Sequence, residues 1–265
     1  METRRAALDC LSTASPSRAA AEAGQAFDAQ NRAFLVALVE MVVRRRRTLD
    51  AVGSTFASGG RIAPPLMNPM RVGLCQLLLM EGIPGYAAIH ETVEAVRARG
   101  GRSGHIRFVN GLLRAVERSL EAGGSGPRRE IPRAPGHAPA RLDRDVLPDP
   151  ADPEFMARAY SYPDDLVAVW VERFGPDHAR DLLDLGNRTP PTTLRPNPRH
   201  GDEASLAEAL AGEGIKTAPG PRPGLLDLPG RPRPAFGTSA FRDGLFSVQD
   251  AAALDAVDLV GADEG

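Results

Sequence analysis

The first half of the chain repeats apolar residues at helical spacing. Apolar positions separated by three and four residues put one face of a helix against a core and leave the other in solvent. No period-two segment typical of a strand interrupts residues 1–122, so the pattern predicts an all-α bundle. The positions that carry two of these stripes are Phe27, Asn31, Phe34, Leu35, Leu38 and Val42, then Ile106, Val109, Leu113, Val116 and Leu120.

Two further stripes lie on either side of a proline. Val72, Gln76 and Leu79 form the first, and Ile89, Val93 and Val96 form the second. Pro84 lies between them and is predicted to end the first helix, because proline cannot extend the helical hydrogen-bond ladder.

Residues 123–152 have a different composition. They contain six prolines and four glycines without apolar periodicity. A segment of this kind is not expected to bury enough surface to offset the entropy of ordering it. We therefore predict a mobile inter-domain linker at 123–152.

Structure is predicted to resume at Asp152-Pro153-Glu154, where a carboxylate and a proline favour a helix start. An apolar helix face ending at Gly175 and a second helix beginning at Pro176-Asp177 follow; the face consists of Leu166, Val169, Trp170 and Phe174. Short strand candidates at 192–195, 215–217, 224–228 and 245–248 and a helix at 205–210 complete a small α+β domain, predicted at 153–250.

The charge of the chain is divided unevenly. Of its 265 residues, 25% are charged and the net charge is −2, but residues 1–122 hold sixteen Arg and eleven Asp or Glu, a balance of +5. Lys216 is the only lysine. Arginine makes bidentate contacts to phosphate, so a basic helical half favours RNA as a partner. The alternative is that arginine in place of lysine reflects genome composition.

Cys10 and Cys75 are the only cysteines, and both lie among apolar helical residues. This indicates buried thiols in a reducing compartment, without a disulfide framework or zinc site. The five histidines lack paired ligand spacing, so no metal is expected. Neither a signal peptide nor an apolar run of about 18 residues is present, so we expect a cytoplasmic protein and no membrane partner.

The stretch from residue 71 to 114 carries a recognisable ordered set of residues: Arg71, Gly73, Gln76, Leu77, Ile83, Pro84, Ala87, Glu91, Val93, Val109, Asn110, Leu113 and Arg114. With these residues, the segment resembles the NusB-type RNA-binding helical domain. That domain occurs alone in NusB antitermination factors and at the N-terminus of rRNA cytosine-C5 methyltransferases of the RsmB (Fmu) family. The resemblance implies an all-α NusB-like bundle for residues 1–122.

The second half resembles the short domain that RsmB-type methyltransferases have between the NusB-like part and the catalytic part. The matching positions are Pro163, Trp170, Gly175, Asn187, Pro190-Pro191, Leu194-Arg195, Asn197 and the run 244–250. Stand-alone NusB has no such second half, so this resemblance favours the methyltransferase family.

The chemistry of that family is not expected from this chain. Methylation at cytosine C5 needs a cysteine thiolate that adds to C6 and a glycine-rich cradle for S-adenosylmethionine. No cysteine follows Cys75, and only fifteen residues follow Asp250. We therefore expect 251–265 to be the truncated start of an S-adenosylmethionine-dependent domain whose Rossmann-like fold is absent. No catalytic, cofactor or metal residue is predicted, and S-adenosylmethionine is implied only for the missing domain. Whether the chain counts as an enzyme is left open.

The RNA contacts are predicted among basic residues, of which the run 44–47 is the strongest candidate. If the run is helical, its four residues point around the whole circumference, so at most two can face one phosphate groove. The alternatives are a solvated helix end for the run, ordinary exposure for the other arginines, and strand capping for the last two residues. The candidate residues are Arg4, Arg5, Arg32, Arg44, Arg45, Arg46, Arg47, Arg195 and Asn197. Asn110 and Arg114 also match family positions, although asparagine in a helix often satisfies local backbone groups.

Three functions are compatible with this sequence. The first is rRNA recognition for cytosine-C5 methylation, with a separate or missing methyltransferase domain as partner. The second is a stand-alone NusB-like RNA-binding factor in transcription antitermination or ribosome assembly. The third is an adaptor that binds a small ribosomal subunit protein.

Overall fold

The computed structural model describes residues 2–134, 136–228 and 235–260. The chain divides into two compact units, Met1–Arg188 and Thr189–Gly265. The first is mainly helical and the second is a small α+β unit. The predicted fold class, an all-α helical bundle followed by a small α+β domain, is confirmed.

Seven helices form the bundle of the first unit. They are α1 (Glu2–Cys10), α2 (Pro16–Ala23), α3 (Ala29–Arg44), α4 (Arg46–Phe56), α5 (Pro64–Leu78), α6 (Gly85–Ala98) and α7 (Ser103–Ala122). The predicted stripe on α7 is confirmed, since Val109, Leu113 and Val116 are all buried. Helix α7 is 20 residues long and amphipathic: its apolar face packs in the bundle, and its opposite face lies in solvent.

Helix α5 lies at the centre of the bundle and packs against α3, α4, α6 and α7. Gly73 makes this close packing possible, because a Cβ at that position would lie 2.6 Å from Leu113 Cδ2. Cys75 on α5 and Cys10 on α1 are both buried. Burial raises the pKa of both thiols, so they remain protonated at neutral pH.

The prediction that Pro84 ends a helix was wrong. Helix α5 already ends at Leu78, six residues earlier, and Pro84 is the N-cap of α6 with extended backbone angles. Proline has no amide hydrogen to donate, so the start of a helix accommodates it.

The linker predicted at 123–152 is in fact packed against the bundle. Its short strands β1 (Glu130–Ile131) and β2 (Ala140–Arg141) pair antiparallel. Ile131 and Leu142 are fully buried and belong to the same core as the helices. Among these residues, Pro135 lies outside the described part. The expectation failed because a few apolar residues at irregular spacing can each fill a core position without producing a periodic pattern.

A buried hydroxyl attaches this segment to α7. Ser119, only 1% exposed, donates from Oγ to Asp143 Oδ1 at 2.5 Å and accepts from the Asp143 amide at 2.9 Å. Hydrogen bonds from Arg144 and then Ser119 lower the pKa of Asp143 from 3.8 to about 2. The ionised carboxylate is therefore the form that the folded state favours.

Replacing Ser119 with alanine should lower the free energy of unfolding by about 1 kcal/mol at neutral pH, because both hydrogen bonds are lost. A depressed carboxyl pKa stabilises the fold above the unfolded value and loses its effect as pH falls through the folded value. The difference between the wild type and Ser119→Ala should therefore shrink between about pH 4 and pH 2, measured by urea unfolding. A difference that stayed constant over this range would contradict the assignment.

Three helices complete the first unit: α8 (Glu154–Tyr160), α9 (Asp164–Phe174) and α10 (Pro176–Asn187). The predicted helix start is confirmed, since Asp152 Oδ1 accepts a hydrogen bond from the Glu154 amide at 2.8 Å. The predicted face of α9 was partly wrong. Val167 is buried, whereas Val169 and Phe174 are 55% and 45% exposed.

The second unit contains a four-stranded antiparallel sheet in the order β4-β5-β3-β6. Its elements are β3 (Thr192–Pro196), α11 (Glu203–Gly212), β4 (Ala218–Pro219), β5 (Leu226–Leu228), α12 (Ser239–Arg242), β6 (Phe246–Val248) and α13 (Ala251–Val260). Strands at 192–195, 224–228 and 245–248 and the helix at 205–210 agree with these elements. The strand expected at 215–217 is instead β4, which begins at Ala218.

The compact units divide after Arg188 and not within 123–152. Of the tail expected at 251–265, residues 251–260 form α13, and residues 261–265 lie outside the described residues. None of the described helices is long and apolar enough to cross a membrane. Within the described ranges, no group of three or more His, Cys, Asp or Glu residues could hold a metal ion.

Candidate nucleic-acid interface

The arginine run lies at a break between two helices. Helix α3 ends at Arg44, α4 begins at Arg46, and Arg45 between them has non-helical angles of φ −106° and ψ 20°. The interpretation of these four residues as one helical turn is therefore corrected.

Arg45 is buried, with only 3% of its surface exposed. Its Nη2 donates to the Ala159 carbonyl oxygen at 2.9 Å. Desolvation lowers the pKa of Arg45 to about 10, so the guanidinium is still charged at neutral pH. The prediction that Arg45 contacts RNA is contradicted, because its N–H groups face the protein interior.

Two other residues of the run are also engaged. Arg47 makes an ion pair with Asp164 at 2.6 Å and donates from Nη1 to the Tyr162 carbonyl oxygen. Arg44 Nη1 lies 3.4 Å from the Arg188 carbonyl oxygen. Arg46 alone of the four is exposed without a hydrogen bond or ion pair in the described part of the chain. The run is thus not an open cationic surface.

The N-terminal candidates are divided in the same way. Arg4 donates from Nε to the buried Gln76 Oε1 at 3.0 Å, and its guanidinium lies 4.4 Å from the Phe34 ring centroid. Arg32 donates from Nε to the Gly24 carbonyl oxygen at 2.9 Å and so holds the turn before α3. Arg5 is exposed on α1. Of these three, only Arg5 has a guanidinium that is not already used to hold the bundle.

Arg195 and Asn197 belong to the second unit and have structural partners there. Arg195 lies on β3 and donates from Nη1 to Gln249 Oε1 at 3.2 Å. Asn197 donates from Nδ2 to the Gly244 carbonyl oxygen at 2.9 Å, while its amide donates to the Leu245 carbonyl oxygen at 2.8 Å. The capping alternative describes Asn197 well, because these bonds connect the end of β3 to the turn before β6.

A different set of cations is presented to solvent together. We call Arg107, Asn110, Arg114 and Arg118 the α7 arginine face. Their spacing of three, four and four residues puts them on one side of α7, away from its buried apolar stripe. Arg107, Asn110 and Arg118 are exposed, and Arg114 is half-buried beside Glu117 at 2.8 Å. Arg107 and Arg118 form no ion pair with any described residue.

Helix α6 packs beside α7 and carries an exposed tyrosine and an exposed histidine. Tyr86 is 66% exposed and His90 is also exposed. Gly85 lies against Glu117 of α7, because a Cβ on Gly85 would be 3.2 Å from Glu117 Cδ. This close approach places the first turn of α6, and therefore Tyr86, next to α7.

This arrangement suits nucleic acid. Guanidinium groups spaced along a helix can contact successive phosphates, and an exposed tyrosine ring can stack on an unpaired base. The sequence contained a signal for it: Arg107, Arg114 and Arg118 are separated by seven and four residues and lie opposite the apolar stripe. Consecutive arginines point to the run at 44–47, whereas this set is recognised only by its helical spacing; the family resemblance points to Asn110 and Arg114 alone.

Comparison with protein families locates two known domains. Residues 1–118 match the NusB family, and residues 162–225 match the ferredoxin-like domain of RsmF/B-like methyltransferases. A solved structure with a similar fold is the crystal structure of PH0851, with a TM-score of 0.63 and 16% identity. The structural alignment covers 97% of this chain and 55% of the PH0851 chain.

Two curated relatives have the same name, probable ribosomal RNA small subunit methyltransferase B. The protein of Bacillus subtilis is 29% identical over 228 residues, which is 85% of this chain and 45% of the relative. The protein of Synechocystis sp. strain PCC 6803 is 29% identical over 226 residues, 84% of this chain and 46% of the relative. The chain thus spans less than half the length of the relatives it matches.

The two matched domains follow each other in the order expected from the sequence. The comparisons therefore show a segment similar to the NusB family, followed by a segment similar to the ferredoxin-like domain of RsmF/B-like methyltransferases.

Proposed function

We propose that this chain binds ribosomal RNA through the α7 arginine face and serves as the RNA-recognition part of small subunit rRNA cytosine-C5 methylation. The observation that carries the proposal is the row of cations on one exposed side of α7, beside the exposed Tyr86 on α6. The names of the two relatives supply the substrate class. Of the earlier candidates, Arg5 and Arg46 are exposed and can add to the same electrostatic attraction.

We infer that the catalytic groups for methyl transfer are not among these 265 residues. Cytosine C5 becomes nucleophilic only after a thiolate adds to C6. The two thiols of this sequence, Cys10 and Cys75, are buried, and burial raises the pKa of each. A protonated thiol without access to solvent cannot reach a flipped base. We therefore propose that neither thiol of this sequence is the nucleophile of methyl transfer.

The proposal is tested with the triple variant Arg107→Gln, Arg114→Gln and Arg118→Gln. Its affinity for a small subunit rRNA fragment should fall about 10- to 100-fold at low salt, because up to three phosphate contacts are removed. The slope of log affinity against log salt concentration should become shallower by about 2, since each contact contributes about 0.7 to 0.9. Fluorescence anisotropy over a series of salt concentrations measures both quantities.

A matched control removes three arginines outside this face. Arg18, Arg61 and Arg180 are exposed, and replacing them with glutamine gives the same change in net charge. The control should lose less than threefold in affinity. Equal losses in the two triple variants would show that only total charge matters and would contradict a defined face.

A second candidate function is RNA binding without any role in methylation, as in transcription antitermination or ribosome assembly. The burial of both thiols also favours it. The two candidates predict different methylation rates when the chain is added to a catalytic fragment of a relative that acts on small subunit rRNA. Faster methylation would support the first candidate, and an unchanged rate despite tight RNA binding would support the second.

A further inference from the structure

The end of α8 is held by residues from the break between α3 and α4. Arg45 Nη2 donates to the Ala159 carbonyl oxygen at 2.9 Å, and Thr48 Oγ1 donates to the Arg158 carbonyl oxygen at 2.8 Å. The Arg47 amide donates to Ser161 Oγ at 2.9 Å. These bonds join positions more than a hundred residues apart in the sequence.

The chemistry of a helix end explains why these groups are used. The last carbonyl oxygens of a helix have no partner within the helix and carry the negative end of its dipole. Ser161 ends α8 with a left-handed φ of 67°. The last carbonyl oxygens of α8 therefore accept hydrogen bonds from residues outside the helix. A cation and a hydroxyl are suited to that position, and the buried charge of Arg45 gains a compensating partner.

The contact continues on both sides of this helix end. Arg47 extends it to α9 through its ion pair with Asp164. Asn187, the last residue of α10, donates from Nδ2 to the Tyr160 carbonyl oxygen at 2.9 Å. Arg45 and Arg47 therefore contact α8 and α9 directly, and α10 is joined to the end of α8 through Asn187.

The position of this contact disagrees with the boundary of the matched family. The ferredoxin-like match begins at residue 162, within the held segment, yet the compact unit that contains the NusB domain extends to Arg188. The first 27 residues of that match, 162–188, thus belong structurally to the first unit.

We propose that the break between α3 and α4 is an intramolecular docking interface whose occupant is the C-terminal end of α8 with residues 161–164, and that it fixes α8–α10 to the NusB bundle. Arg45, Arg47 and Thr48 are its positioning residues, and they have no part in binding RNA. The inference does not depend on the proposed function, because it rests on contacts within the first unit.

Hydrogen exchange of the full chain tests the docking. In the double variant Arg45→Met and Thr48→Val, amides of residues 155–187 should exchange at least about tenfold faster, because local opening no longer breaks the capping bonds. Exchange in α6 and α7 should not change. The control Arg46→Gln removes the neighbouring exposed arginine and should alter neither region.

A milder variant keeps the inference testable if the double variant fails to fold. Arg47→Gln removes only the half-exposed side of the contact and should speed exchange at 162–174 about threefold, since such ion pairs contribute modestly. Its affinity for the rRNA fragment should stay within twofold of the wild type.

Two results would overturn the proposal. One is an equal acceleration throughout the first unit, which would mean that Arg45 and Thr48 support the whole core and not a docking contact. The other is a loss of RNA affinity by Arg47→Gln comparable to that of the α7 triple variant with unchanged exchange, which would make the run an RNA contact after all. Loss of RNA binding by the α7 triple variant alone would leave the docking interface intact.

Discussion

Replacing Gly73 with valine is expected to cause a large loss of stability in the helical bundle. A Cβ on Gly73 would lie 2.6 Å from Cδ2 and 3.1 Å from Cγ of Leu113, which is fully buried. Overpacking a core costs about 1–3 kcal/mol and occasionally more. Valine adds three carbon atoms, Cβ and two methyl groups, at a helix crossing where Cβ alone already clashes, so we expect a decrease of about 3 kcal/mol or more in the free energy of unfolding.

A second pair of variants isolates the clash. Leu113→Ala alone should cost about 2–5 kcal/mol, because it leaves a cavity between α5 and α7. In that background Gly73→Ala should be neutral or stabilising, since the new methyl group enters the vacated space and alanine favours helix by up to about 1 kcal/mol. In the wild-type background Gly73→Ala should destabilise. Urea unfolding followed by circular dichroism measures all four proteins, and an equal effect of Gly73→Ala in both backgrounds would refute the contact.

The second large effect is expected in the α+β unit, from Phe246→Ala. Phe246 is buried on β6, pairs in register with Pro196 of β3, and has its ring centroid 5.6 Å from that of Phe241. Truncating a buried phenylalanine costs about 3–5 kcal/mol. The buried core of this unit is small, so residues 192–228 and 235–248 should lose most of their protection from hydrogen exchange, whereas α1–α7 should keep theirs.

The matched control for this variant is Phe174→Ala. Phe174 lies at the end of α9 and is 45% exposed. Exposed substitutions usually change stability by about 0.5 kcal/mol or less, so the control should leave both units protected. Simultaneous loss of protection in both units of the Phe246 variant would mean that the chain unfolds as a single cooperative body.

The helices could be predicted where apolar residues recur at helical spacing over several turns. Helix α7 shows this best, because its buried residues fall at regular spacing and nothing interrupts them for twenty residues. The packed segment at 123–152 could not be predicted in the same way. Ile131 and Leu142 are held by contacts with residues far away in the sequence, and such contacts leave no local period.

The interface was harder to predict than the fold. A run of four arginines attracts attention, but the sequence gives no glycine or proline to signal that α3 ends within it. Arg45 lies on the buried side, at helical spacing from Val42 and Leu49, and its guanidinium donates to the Ala159 carbonyl oxygen of α8. The α7 arginine face could be predicted from the sequence, because its residues recur every three or four positions on the side of the helix opposite the apolar stripe.

The forked contacts of Arg47 bear on why this chain contains 31 arginines and a single lysine. Its two terminal nitrogens serve different acceptors, Nη1 the Tyr162 carbonyl oxygen and Nη2 the Asp164 carboxylate. An ammonium group is a compact point charge and cannot reproduce this planar, branched geometry. Nucleotide bias in the genome can account for arginine at exposed positions, but at this one the codon choice is constrained by shape as well as charge.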